Sequence, residues 1–213
     1  MVTTWCWRIG FGLVSYLLGA IPNGYLVGRA KGVDIRTMGS GNIGATNVFR
    51  CIGKGWGIFT FVLDALKGFL PAFLFPWLLA KVDPAAAGSV VPALVFMVLA
   101  IAGHNWPVYL GFKGGKGVAT SAGALLGVAP AAVGIGLAAW ALLFAVTRYV
   151  SVASIGAALA VAAGGWWLYR PDLVLPAVLT VLCLLVVLRH KGNMARLAAG
   201  TENRISFGRK ERS

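Results

Sequence analysis

The chain has 213 residues, 59% of them hydrophobic, with a mean hydropathy of +0.82 and eight tryptophans. Lysine and arginine number 19 against 6 acidic residues, a formal charge of +13. So much apolar sequence excludes an ordinary soluble domain, and basic residues that merely punctuate apolar runs exclude a nucleic-acid reader with a basic face on a recognisable module.

The first predicted span runs from about Ile9 to Val27. It continues past Gly19-Ala20-Ile21-Pro22 without an A-x-A site, so it is expected to be retained and not cleaved as a signal peptide. A second span covers about Trp56 to Leu79 and a third about Val90 to Trp106. From Val118 to Leu188 the chain is apolar almost throughout, interrupted at Pro130, at Arg148 and at Arg170-Pro171-Asp172. The interruptions give four pieces, the first of which (about Val118–Ala129) is short for a lone crossing, given the roughly 20 residues that a transmembrane helix needs.

Charge sets the expected orientation. Only Arg8 precedes the first span, whereas Arg29, Lys31, Arg36, Arg50 and Lys54 follow it. Lys113 and Lys116 follow the third span, and Arg189, Lys191, Arg196, Arg204, Arg209, Lys210 and Arg212 follow the last. Positive residues near span ends mark the cytoplasmic side, so the N-terminus is expected outside and the C-terminus in the cytoplasm. An even number of crossings must then lie between Lys113 and the basic tail. Four fit the interruptions, whereas two leave about 30 apolar residues unplaced. The expected fold is all-α: one domain over residues 1–213, a polytopic membrane bundle of seven helices, with five as the alternative. Cys6, Cys51 and Cys183 show neither a disulfide framework nor metal-ligand spacing.

Three polar segments are expected on the cytoplasmic face. The first, Met38–Arg50, holds Ser40, Gly41, Asn42, Thr46, Asn47 and Arg50. Glycine allows backbone N–H groups to approach a ligand and form an anion-binding nest, and arginine adds a fork that fits phosphate. The second contains His104 and then Lys113-Gly114-Gly115-Lys116-Gly117, running straight into an apolar helix. Loop amides and a helix N-terminus together make a phosphate cradle. The spacing is not that of a Walker A loop. The third contains His190, Asn193 and Glu202, a histidine with a carboxylate that suits proton transfer or phosphate binding. Each segment alone also fits a plainer role: a capping loop, a glycine hinge, or a basic tail on anionic lipid. Within the second span, Asp64 and Lys67 stand at i,i+3 on one helix face, as a structural ion pair or, less simply, a substrate contact.

Several chemistries are excluded. Carboxylates are too few near the cytoplasmic face for a two-metal site, and no G-x-S-x-G elbow occurs. Nor is there the His-x4-Asp motif of acyl-CoA-dependent acyltransferases, because Tyr109 and Ala195 stand five residues after His104 and His190.

Taken together, Gly39-Ser40-Gly41-Asn42-x-Gly44-Ala45-Thr46-Asn47-x-x-Arg50, Gly103-His104 with Gly111-Phe112-Lys113-Gly114-Gly115-Lys116-Gly117-Val118-Ala119-Thr120, and His190-x-x-Asn193-x-x-Arg196-Leu197-x-x-Gly200-x-Glu202-x-Arg204-Ile205 closely resemble the motifs of the bacterial acyl-phosphate-dependent glycerol-3-phosphate acyltransferases, the PlsY family. Asp64-x-x-Lys67-Gly68 is typical of it as well. The resemblance implies seven helices and transfer of a fatty acyl group from acyl phosphate to glycerol 3-phosphate at the cytoplasmic side of the bacterial inner membrane. It implies catalytic roles for Ser40, Arg50, Lys116, His190 and Asn193. It implies substrate binding by Gly41, Asn42, Thr46, Asn47, His104, Lys113, Gly114, Gly115, Gly117 and Glu202. Acyl phosphate, glycerol 3-phosphate and membrane lipid are the expected partners, with no nucleic acid, no cofactor and no metal. A small transporter of organic phosphates is the alternative, although no inverted repeat is evident.

Overall fold

The structure, a computed structural model, describes residues 2–205; Arg209, Lys210, Glu211 and Arg212 of the basic tail lie outside the described residues. Among these residues there are α-helices and short 3-10 turns and no strand. The chain divides into two compact units, Met1–Pro130 and Ala131–Ser213.

The first unit holds α1 (Val2–Ala20), α2 (Asn23–Ala30), α3 (Ala45–Cys51), α4 (Lys54–Val82), α5 (Val91–Asn105) and α6 (Val118–Val128). Hydropathy alone extends the first span unbroken to Val27, but the chain breaks at Ile21–Pro22 and bends by 42° between α1 and α2. Proline explains the break, because it has no N–H to donate and its ring disfavours a helical residue before it. Pro71 and Pro76 lie inside α4 without ending it, a tolerance seen where neighbouring helices re-satisfy the backbone.

The 29-residue α4 is the hub of this unit, packing against α1, α3, α5 and α6. Small residues let the backbones approach, the usual device where lipid removes the hydrophobic drive between helices. A Cβ at Gly68 of α4 would collide with the carbonyl of Thr120 on α6, and one at Gly123 of α6 with that of Ala65. Gly103 of α5 lies equally close to Tyr16 of α1. Phe11, Phe75 and Phe96 form an aromatic cluster between α1, α4 and α5, with ring centroids 5.3–6.3 Å apart. At one end, Arg8 pairs at 2.6 Å with the buried Asp83.

The second unit holds α7 (Pro130–Thr147), α8 (Val150–Leu168), α9 (Val174–Arg189) and α10 (Lys191–Ala198). Gly136, Gly156 and Gly164 bring α7 and α8 together, and Gly165 seats Leu179 of α9 against α8. The chain bends by 51° between α9 and α10.

Among the described residues, four stretches are long and apolar enough to cross a membrane: Lys54–Val82, Val91–Leu110, Pro130–Thr147 and Val150–Leu168. The number rises to six if each bent pair is one span. Helix α6 is apolar but has 11 residues; at 1.5 Å per residue it reaches about 17 Å, short of a hydrocarbon core of about 30 Å. Large apolar side chains are exposed along these helices, among them Phe61, Phe73, Leu142, Val181 and Leu188, which suits a lipid-facing surface.

Candidate active site

The first polar segment is a loop shaped by Asn47. This side chain is buried beneath the Gly39–Gly44 turn. Its Nδ2 donates to the carbonyls of Ile35, Met38 and Asn42 at 3.2, 3.0 and 2.9 Å, and its Oδ1 accepts the Ser40 N–H at 3.0 Å. Asn42 Oδ1 in turn accepts the Gly44 N–H at 2.8 Å. Gly39 and Gly41 have φ of 56° and 67°, the left-handed region that glycine enters without steric penalty. The result is a fixed turn that exposes Ser40, with Arg50 half-buried in the last turn of α3. Before it, Asp34 caps a 3-10 turn and holds the Arg36 guanidinium, with oxygen–nitrogen distances down to 2.6 Å. The Arg36 side-chain hydrogen bonds, followed by its backbone N–H, lower the Asp34 pKa to about 2.

The second segment lies on top of His104 and Asn105, the last residues of α5. The Gly115 N–H donates to the His104 carbonyl at 3.1 Å. A Cβ at Gly115 would collide with the His104 ring at Nε2, and one at Gly117 would stand 2.8 Å from Asn105 Oδ1. Only glycine fits here, so the loop backbone lies flat on the end of α5. Gly117, with φ of 81°, is the N-cap of α6, and the loop amides run on into the first-turn amides of that helix. Lys116 is half-buried, Lys113 exposed.

Beneath this loop is a buried polar cluster. Asp64 and Lys67 of α4 pair at 2.9 Å, with side chains 2% and 6% exposed. Lys67 Nζ also donates to the Ile21 carbonyl at 2.6 Å, at the break before Pro22. Asn23 Nδ2 donates to Asp64 Oδ1 at 3.0 Å, and His104 Nδ1 lies 3.8 Å from the same oxygen. A carboxylate so deeply buried is stable only when paired and hydrogen-bonded, and here it is both.

The third segment is the joint between α9 and α10. His190 is buried, and its Nδ1 lies 2.7 Å from the Val186 carbonyl. A carbonyl only accepts, so Nδ1 carries the proton and Nε2 is the basic nitrogen of the neutral ring. Glu202 gathers three donors: Asn193 Nδ2 and Ser151 Oγ on Oε1 at 2.6 and 2.9 Å, and Arg196 Nε on Oε2 at 2.8 Å. Burial alone would raise the Glu202 pKa, but the hydrogen bonds from Asn193, Ser151 and Arg196 outweigh it, and the net direction is down. The Ile205 N–H then donates to the Arg148 carbonyl and Arg204 Nε to that of Thr147, tying residues 202–205 to the joint between α7 and α8.

The glycerol-3-phosphate acyltransferase family matches residues 9–200. The chain belongs to that family. It is 44% identical over 192 residues to the glycerol-3-phosphate acyltransferase of Geobacter sulfurreducens, covering 90% of this chain and 94% of the relative. It is 45% identical over 192 residues to that of Anaeromyxobacter dehalogenans, with the same coverage. Two crystal structures of PlsY, an integral membrane glycerol 3-phosphate acyltransferase, are similar to it at 38% identity. The glycerol 3-phosphate form superposes with a TM-score of 0.83 over 93% of this chain and 96% of that one, and the lysophosphatidic acid form with 0.80.

Within the first unit the structure joins His104, Gly114, Gly115 and Gly117 in one loop-and-helix assembly, and Asn42 and Asn47 in one turn with Ser40. Within the second it joins Asn193 to Glu202, with His190 three residues before Asn193. Asn47 and Glu202 emerge as organisers of their segments. Three participants escape the sequence reading: Asn23, Ser151 and the carbonyl of Ile21. Asn23 directly after Pro22 is the one local sign among them, since a polar residue at a helix break has a backbone irregularity to serve.

Proposed function

We propose that this chain transfers a fatty acyl group from acyl phosphate to the sn-1 hydroxyl of glycerol 3-phosphate, giving 1-acyl-sn-glycerol 3-phosphate and inorganic phosphate, the first acylation of phospholipid synthesis. The observation that carries this reading is the Gly114–Gly117 loop. Its backbone lies against His104 and leads its amides into the N-terminus of α6, with Lys116 in the middle. That is a site for one phosphate, in a chain that is 38% identical to PlsY in its glycerol 3-phosphate form.

Acyl phosphate is a mixed anhydride and already activated, so direct transfer needs no covalent nucleophile and no metal. The acceptor's primary hydroxyl attacks the acyl carbonyl. A new ester C–O bond forms, the bond from the acyl carbon to the phosphate oxygen breaks, and phosphate leaves with the electron pair. The hydroxyl proton goes to His190 Nε2 or to the departing phosphate. In this reading Ser40 and Arg50 stabilise the charge that develops on the acyl phosphate, and Lys116 holds the phosphate of glycerol 3-phosphate and adds to the stabilisation of developing charge. Gly41, Asn42, Thr46 and Asn47 form and line the first loop. His104, Lys113, Gly114, Gly115 and Gly117 hold glycerol 3-phosphate. Asn193 acts with His190, and Glu202 keeps Asn193 oriented.

Seven membrane-inserted helices, an outer N-terminus and a cytoplasmic C-terminus belong to the same proposal, with the site on the cytoplasmic side of the bacterial inner membrane. The concentration of lysine and arginine after the first, third and last spans supports it. Rapid quench of a single turnover with radiolabelled acyl phosphate tests the chemistry. Direct transfer predicts label in lysophosphatidate alone, and an acyl ester trapped on Ser40 would refute it.

A further inference from the structure

We infer that Asp64 is a positioning residue for the Gly114–Gly117 loop, acting through His104. This rests on the reading of that loop as the glycerol-phosphate site. An ion pair serving only to hold helices together needs no third partner, yet three side chains converge on one oxygen of Asp64. Lys67 Nζ is 2.9 Å away, Asn23 Nδ2 3.0 Å and His104 Nδ1 3.8 Å. Each comes from a different place: Lys67 from α4 itself, Asn23 from the start of α2, and His104 from the end of α5. The histidine spans the gap between carboxylate and loop. Its Nδ1 side faces Asp64, and its Nε2 side presses on Gly115 where no Cβ fits. Its carbonyl receives the Gly115 N–H. The 3.8 Å separation is a charge contact, longer than a hydrogen bond. In a site this buried, a carboxylate at that range still favours the Nδ1-protonated ring and holds its direction.

Lys67 and Asn23 have complementary tasks. Lys67 satisfies the Ile21 carbonyl at the helix break, and the two together give the buried Asp64 carboxylate its ion-pair and hydrogen-bond partners. The cluster thus links the break at Pro22, the centre of α4 and the end of α5 to the loop that enters α6. Moving Asp64 or removing its charge releases the His104 ring, and with it the floor under Gly115.

The test compares Asp64→Asn, which keeps the shape and an acceptor oxygen, with the double variant Asp64→Leu/Lys67→Met, which removes both buried charges. The full chain is purified in detergent, and melting temperature and steady-state kinetics are measured, with Lys116→Ala as the control for the loop. The expected result is a rise of about tenfold in KM for glycerol 3-phosphate in both Asp64 variants, roughly 1.4 kcal/mol of lost positioning. KM for acyl phosphate should stay within twofold. The double variant costs the Ile21 carbonyl and the Asn23 amide these partners, so it should melt lower than the unsubstituted protein but still fold and show the raised KM. A double variant with unchanged KM for glycerol 3-phosphate makes the pair purely structural and overturns the inference. If Lys116→Ala leaves that KM unchanged, the loop is not the phosphate site and both readings fall. If it raises KM while the Asp64 variants do not, the inference alone falls. A measurement on the unsubstituted protein guards against variants that do not fold. With 15N-labelled histidine, and the His190 signal identified by His190→Gln, the His104 ring nitrogens should shift when glycerol 3-phosphate is added. Unmoved His104 signals would overturn the link between ring and loop.

Discussion

Asn47→Ala is the sharpest probe of how the first loop is built. The side chain has two N–H groups directed at the carbonyls of Ile35, Met38 and Asn42, and one oxygen that accepts the Ser40 N–H. Two hydrogens serving three acceptors means one is shared, so alanine removes about three hydrogen bonds' worth of stabilisation. At about 1 kcal/mol net for each bond, the loop loses roughly 3 kcal/mol relative to its open forms. Ser40 is exposed and its N–H can be rehydrated, whereas the Ile35 carbonyl belongs to a residue with no exposed surface and is the costliest to abandon. At 1.4 kcal/mol per factor of ten, that shifts the ordered loop by about 100-fold. The expected readout is a fall in kcat/KM of similar size in the purified variant, with most of the helical circular dichroism retained. Asn47→Asp keeps the acceptor for Ser40 but turns a carboxylate toward three carbonyl oxygens, so it should be at least as inactive as alanine. An Asn47→Ala enzyme within threefold of the unsubstituted kcat/KM, or an Asn47→Asp enzyme of normal activity, would refute this account of the loop.

Other expectations concern the remaining segments. Glu202 titrates below its ordinary value of 4.5, so its contribution to stability is fully present above that value and is lost as pH falls through the lower folded one. The difference in melting temperature between the unsubstituted protein and Glu202→Gln should be constant at neutral pH and vanish in acid; a difference independent of pH down to 3 would contradict it. Ser151→Ala removes one of two donors on Glu202 Oε1, about 1 kcal/mol. Activity should fall several-fold but survive, whereas a silent Ser151→Ala would show that Asn193 and Arg196 alone hold the carboxylate. Gly68→Ala forces a methyl group against the Thr120 carbonyl across α4 and α6, an overpacking cost of about 1–3 kcal/mol. A lowered melting temperature is expected, and an unchanged one would mean that the helices separate without cost.

Much of this was legible in the sequence, for identifiable reasons. Pro130, Arg148 and the Arg170–Asp172 group stand out against apolar surroundings, and α7, α8 and α9 begin or end beside them. Pro22 was different. Hydropathy continues past it, so a reading based on apolar length runs through a break that only the backbone chemistry of proline creates. The Gly114–Gly117 loop was readable because glycine, lysine and a following apolar helix lie next to one another in the chain. The glycines' second task, making room for the His104 ring, was not, since that ring belongs to another helix. Ser151 and Asn23 were hidden for the same reason: each is a single small polar residue whose partner lies 51 or 41 residues away. The Asp64–Lys67 spacing suggested an ion pair, and the pair is there, but its neighbours on α2 and α5 are tertiary facts.

The most direct test of the proposed function is the choice of acyl donor by the purified chain in lipid. With glycerol 3-phosphate and acyl phosphate it should form lysophosphatidate and release one phosphate per ester, and with acyl-CoA in place of acyl phosphate it should form none. Product from acyl-CoA alone, or none from either donor by a folded protein, would contradict the account.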